Sequence, residues 1–406
     1  MPLFYGWRVV AAAFVVLFTA YGAQYCFGVF FSAVLEEFRW SRASLGGVFS
    51  LYAFSYCVSG FPAGRLSDAW GPRRVIAAGG AILGGAMASM ALVHALWQPY
   101  VIYGIVAAIG MGTAYVPCNS TVVKWFARSR GLAAGLANTG ASAGTLVLPP
   151  LAQLAVTALG WRGAYVVFGA AVLAIVNAIA PLMRRDPESM GLHPDGAVAP
   201  AARPAPAAGL PLSAAVRTGA FWLLGAAYSA TWIPVFIPLV HLVPLARDLG
   251  HSPLAAASAV SATGAGALLG RLAMGWVSDR VGRRPTLMFS MLAQAVAFAA
   301  FTAAHDLPAL YATAFVFGFS YGTITTLFSS IVGDFFGHAE AGSLVGFLFM
   351  LAGSTAAWGP LAAGAIFDAT GSYASAFVLA AGFNLLAAAL LGACRPPRIP
   401  AARAPA

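Results

Sequence analysis

The chain has 406 residues, 60% of them apolar and only 8% charged, with a mean hydropathy of +0.82. A water-soluble domain carries about a quarter charged residues, so this composition excludes one and calls for a polytopic membrane protein whose helices satisfy their own backbone hydrogen bonds. The net charge of +10 would invite a nucleic-acid partner were it gathered in one patch, but the basic residues are scattered along the chain.

A helix of ~20 residues crosses ~30 Å of hydrocarbon, and twelve such segments are expected, at 7–34, 44–67, 75–93, 97–126, 131–157, 161–183, 220–246, 253–278, 286–304, 308–336, 342–367 and 373–394. The first starts almost at Met1, is too long for a signal-peptide core and lacks a small-residue cleavage site, so it is expected to remain as a helix. The organisation that follows is an N-terminal six-helix bundle over 1–184, a linker over 185–216 rich in Ala, Pro and Gly, a C-terminal six-helix bundle over 217–394, and a tail over 395–406. With both termini in the cytoplasm, 17 of the 22 Lys and Arg fall on inside loops and ends, four (Arg39, Arg42, Arg162, Arg247) on outside loops, and Arg271 within the membrane. That asymmetry is what the positive-inside rule selects. The expected location is the plasma (inner) membrane, the lipid bilayer accounts for the basic excess, and no nucleic acid is needed. Cys26, Cys57, Cys118 and Cys394 lie in or at the ends of segments without metal-like spacing and read as small apolar fillers.

The chain repeats itself. Gly64-Arg65-Leu66-Ser67-Asp68-Ala69-Trp70-Gly71-Pro72-Arg73, after segment two, recurs as Gly275-Trp276-Val277-Ser278-Asp279-Arg280-Val281-Gly282-Arg283-Arg284, after segment eight, at an offset of 211. The same offset carries Ser41 to Ser252, Trp125 to Phe336, Pro149 to Pro360 and Gly160 to Gly371. Two matched six-helix halves follow, and in carriers of that design the central site lies between them near the midplane. In the loop copies, Gly64, Asp68, Gly71 and Arg73, with Gly275, Asp279, Arg280, Gly282, Arg283 and Arg284, are candidates for a cytoplasmic gate whose ion pairs bridge helix ends and break on opening. Segment five spaces Gly131, Gly135, Gly140 and Gly144 so that a neighbouring helix can approach closely.

Arg271 is the residue that points to function. It stands in an apolar helix eight residues, or about 12 Å at ~1.5 Å per residue, before Asp279, too deep to read simply as snorkelling. A buried Arg in a membrane helix costs ~2.5–3.5 kcal/mol on insertion scales, and a planar guanidinium offsets that by holding a carboxylate through two parallel bonds. Tyr115 and Asn119, four apart and so on one helical face, and Tyr321 are further candidates for substrate contact, weighed against ordinary interhelical bonding. His241, the one histidine inside a segment rather than at its edge, is a candidate for substrate contact and proton coupling, weighed against a structural role. Asp68, Asp279, Asp334 and Asp368 all lie at segment ends, so a coupled proton would ride on His241 or on the substrate. No metal cluster, activated nucleophile or phosphate-cradling motif is present, so neither enzyme nor cofactor is expected.

On the doubled loop motif, the chain resembles the major facilitator superfamily over nearly its whole length, with departures at Ala69 and Pro72 in the first copy. Through Tyr5-Gly6-Trp7-Arg8, Lys124-Trp125-Phe126-Ala127-Arg128-Ser129-Arg130-Gly131-Leu132-Ala133 and His241-Leu242-Val243-Pro244-Leu245-Ala246-Arg247-Asp248-Leu249-Gly250 it is similar, within that superfamily, to the monocarboxylate transporters and their bacterial lactate and oxalate relatives. The resemblance implies an all-α membrane fold of twelve helices in two pseudo-symmetric bundles, with Arg271 pairing to a substrate carboxylate. It also implies proton symport by alternating access, with a small organic anion and protons as partners. No obligate protein partner is expected. Where eukaryotic members have an Asp one turn before the arginine, Ala267 stands here; Lys124, at a helix end, is the only lysine; and 342–367 contains no Lys or Arg. One buried cation favours one carboxylate, lactate- or pyruvate-like, over two. A carrier of another organic anion or of an efflux substrate is the alternative, and a membrane ligand sensor or enzyme a remote one.

Overall fold

Residues 4–127, 129–196, 209–337 and 340–397 are described in a computed structural model of the chain. Arg128, residues 197–208 of the expected linker and the tail beyond 397 lie outside them. Apart from one isolated bridge between Gly209 and Gly337, the described residues are helical or irregular.

Ten stretches are long and apolar enough to cross a membrane, and the bent pair Arg42–Gly60 and Pro62–Trp70 adds an eleventh. One of the ten, Arg130–Leu182, is 53 residues long and turns back at Gly160, whose φ of 70° lies outside the helical region. It holds two spans, which brings the described total to twelve. We label them α1 (Tyr5–Phe38), α2 (Arg42–Trp70), α3 (Pro72–Leu92), α4 (Trp97–Trp125), α5 (130–159), α6 (161–182), α7 (Gly219–Asp248), α8 (Pro253–Val281), α9 (Arg283–Phe301), α10 (Leu307–Phe336), α11 (Gly342–Thr370) and α12 (Ala374–Ala393).

The internal repeat is written into the backbone. Left-handed or otherwise positive φ occurs at Gly71 and Gly282, at Gly160 and Gly371, and at Arg39 and Gly250, three pairs at the offset of 211. Each ends a span and reverses the chain, which residues without a Cβ do at least cost. Ser41 and Ser252, one offset apart, cap α2 and α8 by accepting the backbone N–H of Ser44 and Ala255.

Small residues set the helix spacing. A Cβ on Gly140 or Gly144 of α5 would lie 2.2 or 2.1 Å from the carbonyl oxygens of Phe14 and Phe18 in α1. Gly266 and Gly270 of α8 interlock with Gly318 and Gly322 of α10 in the same way, at 2.0 to 2.3 Å from facing carbonyl oxygens. Such contacts replace the hydrophobic drive that is absent between helices in lipid. The expectation for segment five needs correction at its start: a Cβ on Gly131 or Gly135 would meet nothing within 4 Å, so only the second pair of glycines packs. The four cysteines are buried and unpaired.

The halves meet most tightly at the end opposite the linker, here the far end. Two ion pairs join them there. Arg42 of α2 donates to both oxygens of Asp248 of α7, at 2.6 and 2.7 Å, and Arg247 pairs with Glu36 at 3.0 Å. Asp368 of α11 caps the start of α2 across the same seam, accepting from the backbone N–H groups of Arg42 and Ala43 at 3.0 and 2.8 Å.

Candidate functional site

Arg271 faces the centre because α8 divides its surface into three stripes. Leu269, Leu272 and Trp276 are exposed on the outer face, Gly266 and Gly270 press on α10, and Gly264 lies against the backbone of Leu146 in α5. Ala267 and Arg271 continue the stripe of Gly264 at three- and four-residue steps, the spacing of one helical face, and both line a cavity between the halves. The guanidinium is half-buried. It makes no hydrogen bond or ion pair with any described residue, and its Nε is shielded from solvent without a partner.

Two compartments meet at Arg271. The larger, about 610 Å³, is walled by residues of both halves, and nine of its fifteen lining side chains are aromatic; Arg271 is the only charged one. The smaller, about 250 Å³, shares Arg271, Tyr21, Tyr25, Ala141 and Tyr321 with the first and adds Ser142, Thr145 and Thr263. The Ser142 and Thr263 hydroxyls are buried there without a hydrogen-bond partner.

The tyrosines are arranged in pairs. Tyr25 of α1 and Tyr321 of α10 share a hydroxyl hydrogen bond of 2.8 Å across the halves, and Tyr21 and Tyr56 share one of 2.7 Å. Within such a pair one hydroxyl donates to the other, which leaves one O–H free for a third group. Tyr21, Tyr25, Tyr115 and Tyr321 all lie within electrostatic reach of Arg271. The Tyr115 ring stacks on Phe349 of α11 at 6.1 Å, and its hydroxyl has no hydrogen-bond partner among the described residues.

Of the residues singled out from sequence, Arg271, Tyr115 and Tyr321 are brought together at the larger compartment. Asn119 is not on its wall. Its amide is engaged by Asn138 of α5 in reciprocal bonds of 2.7 and 3.3 Å and by the Tyr115 carbonyl at 3.0 Å, and Asn138 takes the lining position instead. His241 does not reach either compartment. It is fully buried near the far end, with Nε2 3.0 Å or closer to its acceptor: the Pro360 carbonyl lies at 2.9 Å, and Nδ1 meets the Tyr373 hydroxyl at 3.0 Å. That hydroxyl also accepts from Arg42 at 2.9 Å, so His241 extends the far-end clamp into α11. The expectation of substrate contact at Asn119 and His241 is therefore corrected. Tyr21, Tyr25, Ser142 and Thr263 were not singled out. Only Tyr21 and Tyr25 carried a signal, as hydroxyl-bearing rings four apart on one helix.

The two loop copies sit at the linker end, where each ties helices of its own half. Asp68 accepts from Lys124 of α4 at 2.8 Å, Gly64 lies against Val116, and Arg73 is exposed beyond the Gly71 turn. In the second copy Arg283 pairs with Asp334 of α10, donates to the Ser330 carbonyl at 3.3 Å and lies 4.0 Å from Asp279. Arg284 donates to the carbonyls of Leu391 and Gly392 in α12. Arg280 stacks over the Trp276 ring at 3.4 Å. A Cβ on Gly275 would meet nothing within 4 Å, while Gly282 makes the turn itself.

A cavity of this kind, closed over at one end and enclosing one uncompensated cation, can hold an organic anion. Comparison with known proteins agrees with that chemistry. The family described as Major Facilitator Superfamily matches residues 13–244 and 227–406. Monocarboxylate transporter 11 of Mus musculus is 30% identical over 392 residues, covering 94% of this chain and 85% of the relative. Monocarboxylate transporter 13 of Bos taurus is 29% identical over 391 residues, covering 95% and 88%. Among solved structures, a bacterial homologue of the human lysosomal transporter Spinster has a TM-score of 0.73 at 15% identity, covering 97% of this chain and 99% of that one. The nucleoside transporter NupG has 0.74 at 14%, covering 95% and 99%. These two establish likeness of fold alone.

Proposed function

The chain belongs to the Major Facilitator Superfamily, a family of membrane transporters and not of enzymes, and from that premise we propose that it carries small organic monocarboxylates across the membrane by alternating access, with Arg271 holding the carboxylate. The observation that carries this reading is a guanidinium lining the central cavity with no hydrogen bond or ion pair to a described residue. A charge so placed costs ~2.5–3.5 kcal/mol to insert, and a bound carboxylate supplies two charge-assisted bonds that offset it. One cation and no lining carboxylate favour a monoanion. The Tyr115 hydroxyl and the free O–H of the Tyr25–Tyr321 pair are suitable second donors. The names of the relatives, monocarboxylate transporters 11 and 13, support the same substrate class.

Proton symport is the coupling we favour. No Asp, Glu or His lines the described cavity walls, so the proton travels with the acid. The 17-to-4 basic asymmetry of the loops supports a cytoplasmic linker end in a plasma membrane, with the far end outside. The reading is tested with purified protein in proteoliposomes: labelled monocarboxylate uptake is expected, faster with an inward proton gradient, and Arg271→Ala is expected to abolish it while inserting normally. Wild-type uptake by that variant would remove the anion site.

A further inference from the structure

The two compartments that meet at Arg271 differ in chemistry. Around the smaller one, Arg271 Nε and the hydroxyls of Ser142 and Thr263 are all buried and without hydrogen-bond partners. Ser142 and Thr263 are only 2% and 1% exposed. Unpartnered buried polar groups are rare in native proteins and call for an explanation; three around one space of about 250 Å³ match the acceptor-only oxygens of a carboxylate. The larger compartment is lined mainly by rings. Trp232, Phe236, Phe328 and Phe349 line it beside Tyr21, Tyr25, Tyr56 and Tyr321, whose hydroxyls bond to one another in two pairs that each keep one free O–H.

We propose that the site is bipartite: Ser142, Thr263 and Arg271 take the carboxylate, and the aromatic compartment takes an apolar body of aryl size. This rests on the reading of Arg271 as the carboxylate partner and changes the expected guest. An acid of lactate or pyruvate size leaves the aromatic walls unused, and each further methylene buried against them is worth roughly fourfold in affinity. No Asp or Glu lines either compartment among the described residues, so the ammonium of an amino acid has no counter-charge and stands near Arg271. The preferred class is therefore an arylalkanoate or similar bulky monocarboxylate, not a zwitterion.

The test compares initial uptake of 3-phenylpropanoate, lactate, phenylalanine and 3-phenylpropanol in proteoliposomes, corrected for protein-free vesicles. Phenylpropanoate is expected to exceed lactate by roughly 10–100-fold in kcat/KM, with phenylalanine and the alcohol not carried. Lactate equal to or better than phenylpropanoate overturns the aryl preference and leaves the carboxylate site standing. Uptake of the alcohol or of phenylalanine that matches the acid and survives Arg271→Ala overturns the carboxylate reading itself. The near-isosteric Ser142→Ala and Thr263→Val are expected to raise KM for both acids by a similar factor, whereas Phe349→Leu is expected to raise it for phenylpropanoate alone. Unchanged KM in both hydroxyl variants, with melting temperatures preserved, overturns the assignment of the nook.

Discussion

The far-end clamp between Arg42 and Asp248 is expected to set how long the carrier stays shut on that side, and Asp248→Asn measures it. The guanidinium contacts both carboxylate oxygens, at 2.6 and 2.7 Å, and lies 3.7 Å from the Phe367 ring centroid. Hydrogen bonds to charged groups contribute ~1.5–3 kcal/mol, while fully exposed pairs contribute ~0–1 kcal/mol. With side-chain exposures of 15% for Arg42 and 37% for Asp248, the pair falls between these limits. Asparagine keeps one acceptor and loses the charge, so about 1–2 kcal/mol is removed. At ~1.4 kcal/mol per tenfold that shifts the ratio of shut to open far ends by roughly 5–30-fold. Spin labels at Ala158→Cys and Ser375→Cys, exposed positions at the far ends of α5 and α12, report it as a distance distribution. The long-distance population is expected to grow in Asp248→Asn, and Arg42→Gln is expected to add little on top of it. An unchanged distribution, or two effects that simply add, would refute the clamp.

Two further outcomes follow from packing. Gly318→Leu is expected to prise α8 from α10, because even a Cβ there would lie 2.0 Å from the Thr263 carbonyl oxygen; overpacking of this kind costs ~1–3 kcal/mol. A lower melting temperature than for Gly85→Ala, where a Cβ meets nothing within 4 Å, checks it, and equal melting of the two variants would count against close packing. His241→Phe strands the Pro360 carbonyl and removes one of the two partners of the Tyr373 hydroxyl, which keeps Arg42, at ~1–3 kcal/mol for a lost buried partner. A lower melting temperature with unchanged substrate KM is expected, and a raised KM with unchanged melting would return His241 to the binding site.

What could be read in advance followed from chemistry that stands out against a uniform background. Arg271 is a charge among apolar neighbours, and the glycines at 71, 160, 282 and 371 mark chain reversals. The third reversal pair stayed hidden because Arg39 holds in one half the conformation that Gly250 holds in the other. Asn119 was misplaced because four-residue spacing with Tyr115 says only that they share a face. Whether that face meets the cavity depends on Asn138, which arrives on another helix. His241 was misplaced for the same kind of reason, since its partners Pro360 and Tyr373 lie over a hundred residues away. Ser142 and Thr263 are ordinary helix residues in sequence, and only the lack of a partner after folding sets them apart.

The lone guanidinium between the halves also determines how membrane voltage bears on the cycle. Empty, the centre carries one positive charge; with a carboxylate bound it is neutral, and with carboxylate and proton together it is positive again. When acid and proton travel as a pair, equal charge moves in each direction and an inside-negative potential does no net work. When the acid travels alone, each turnover takes one negative charge inward against ~2.3 kcal/mol per 100 mV, and the same protein at rest becomes an outward valve for the acid.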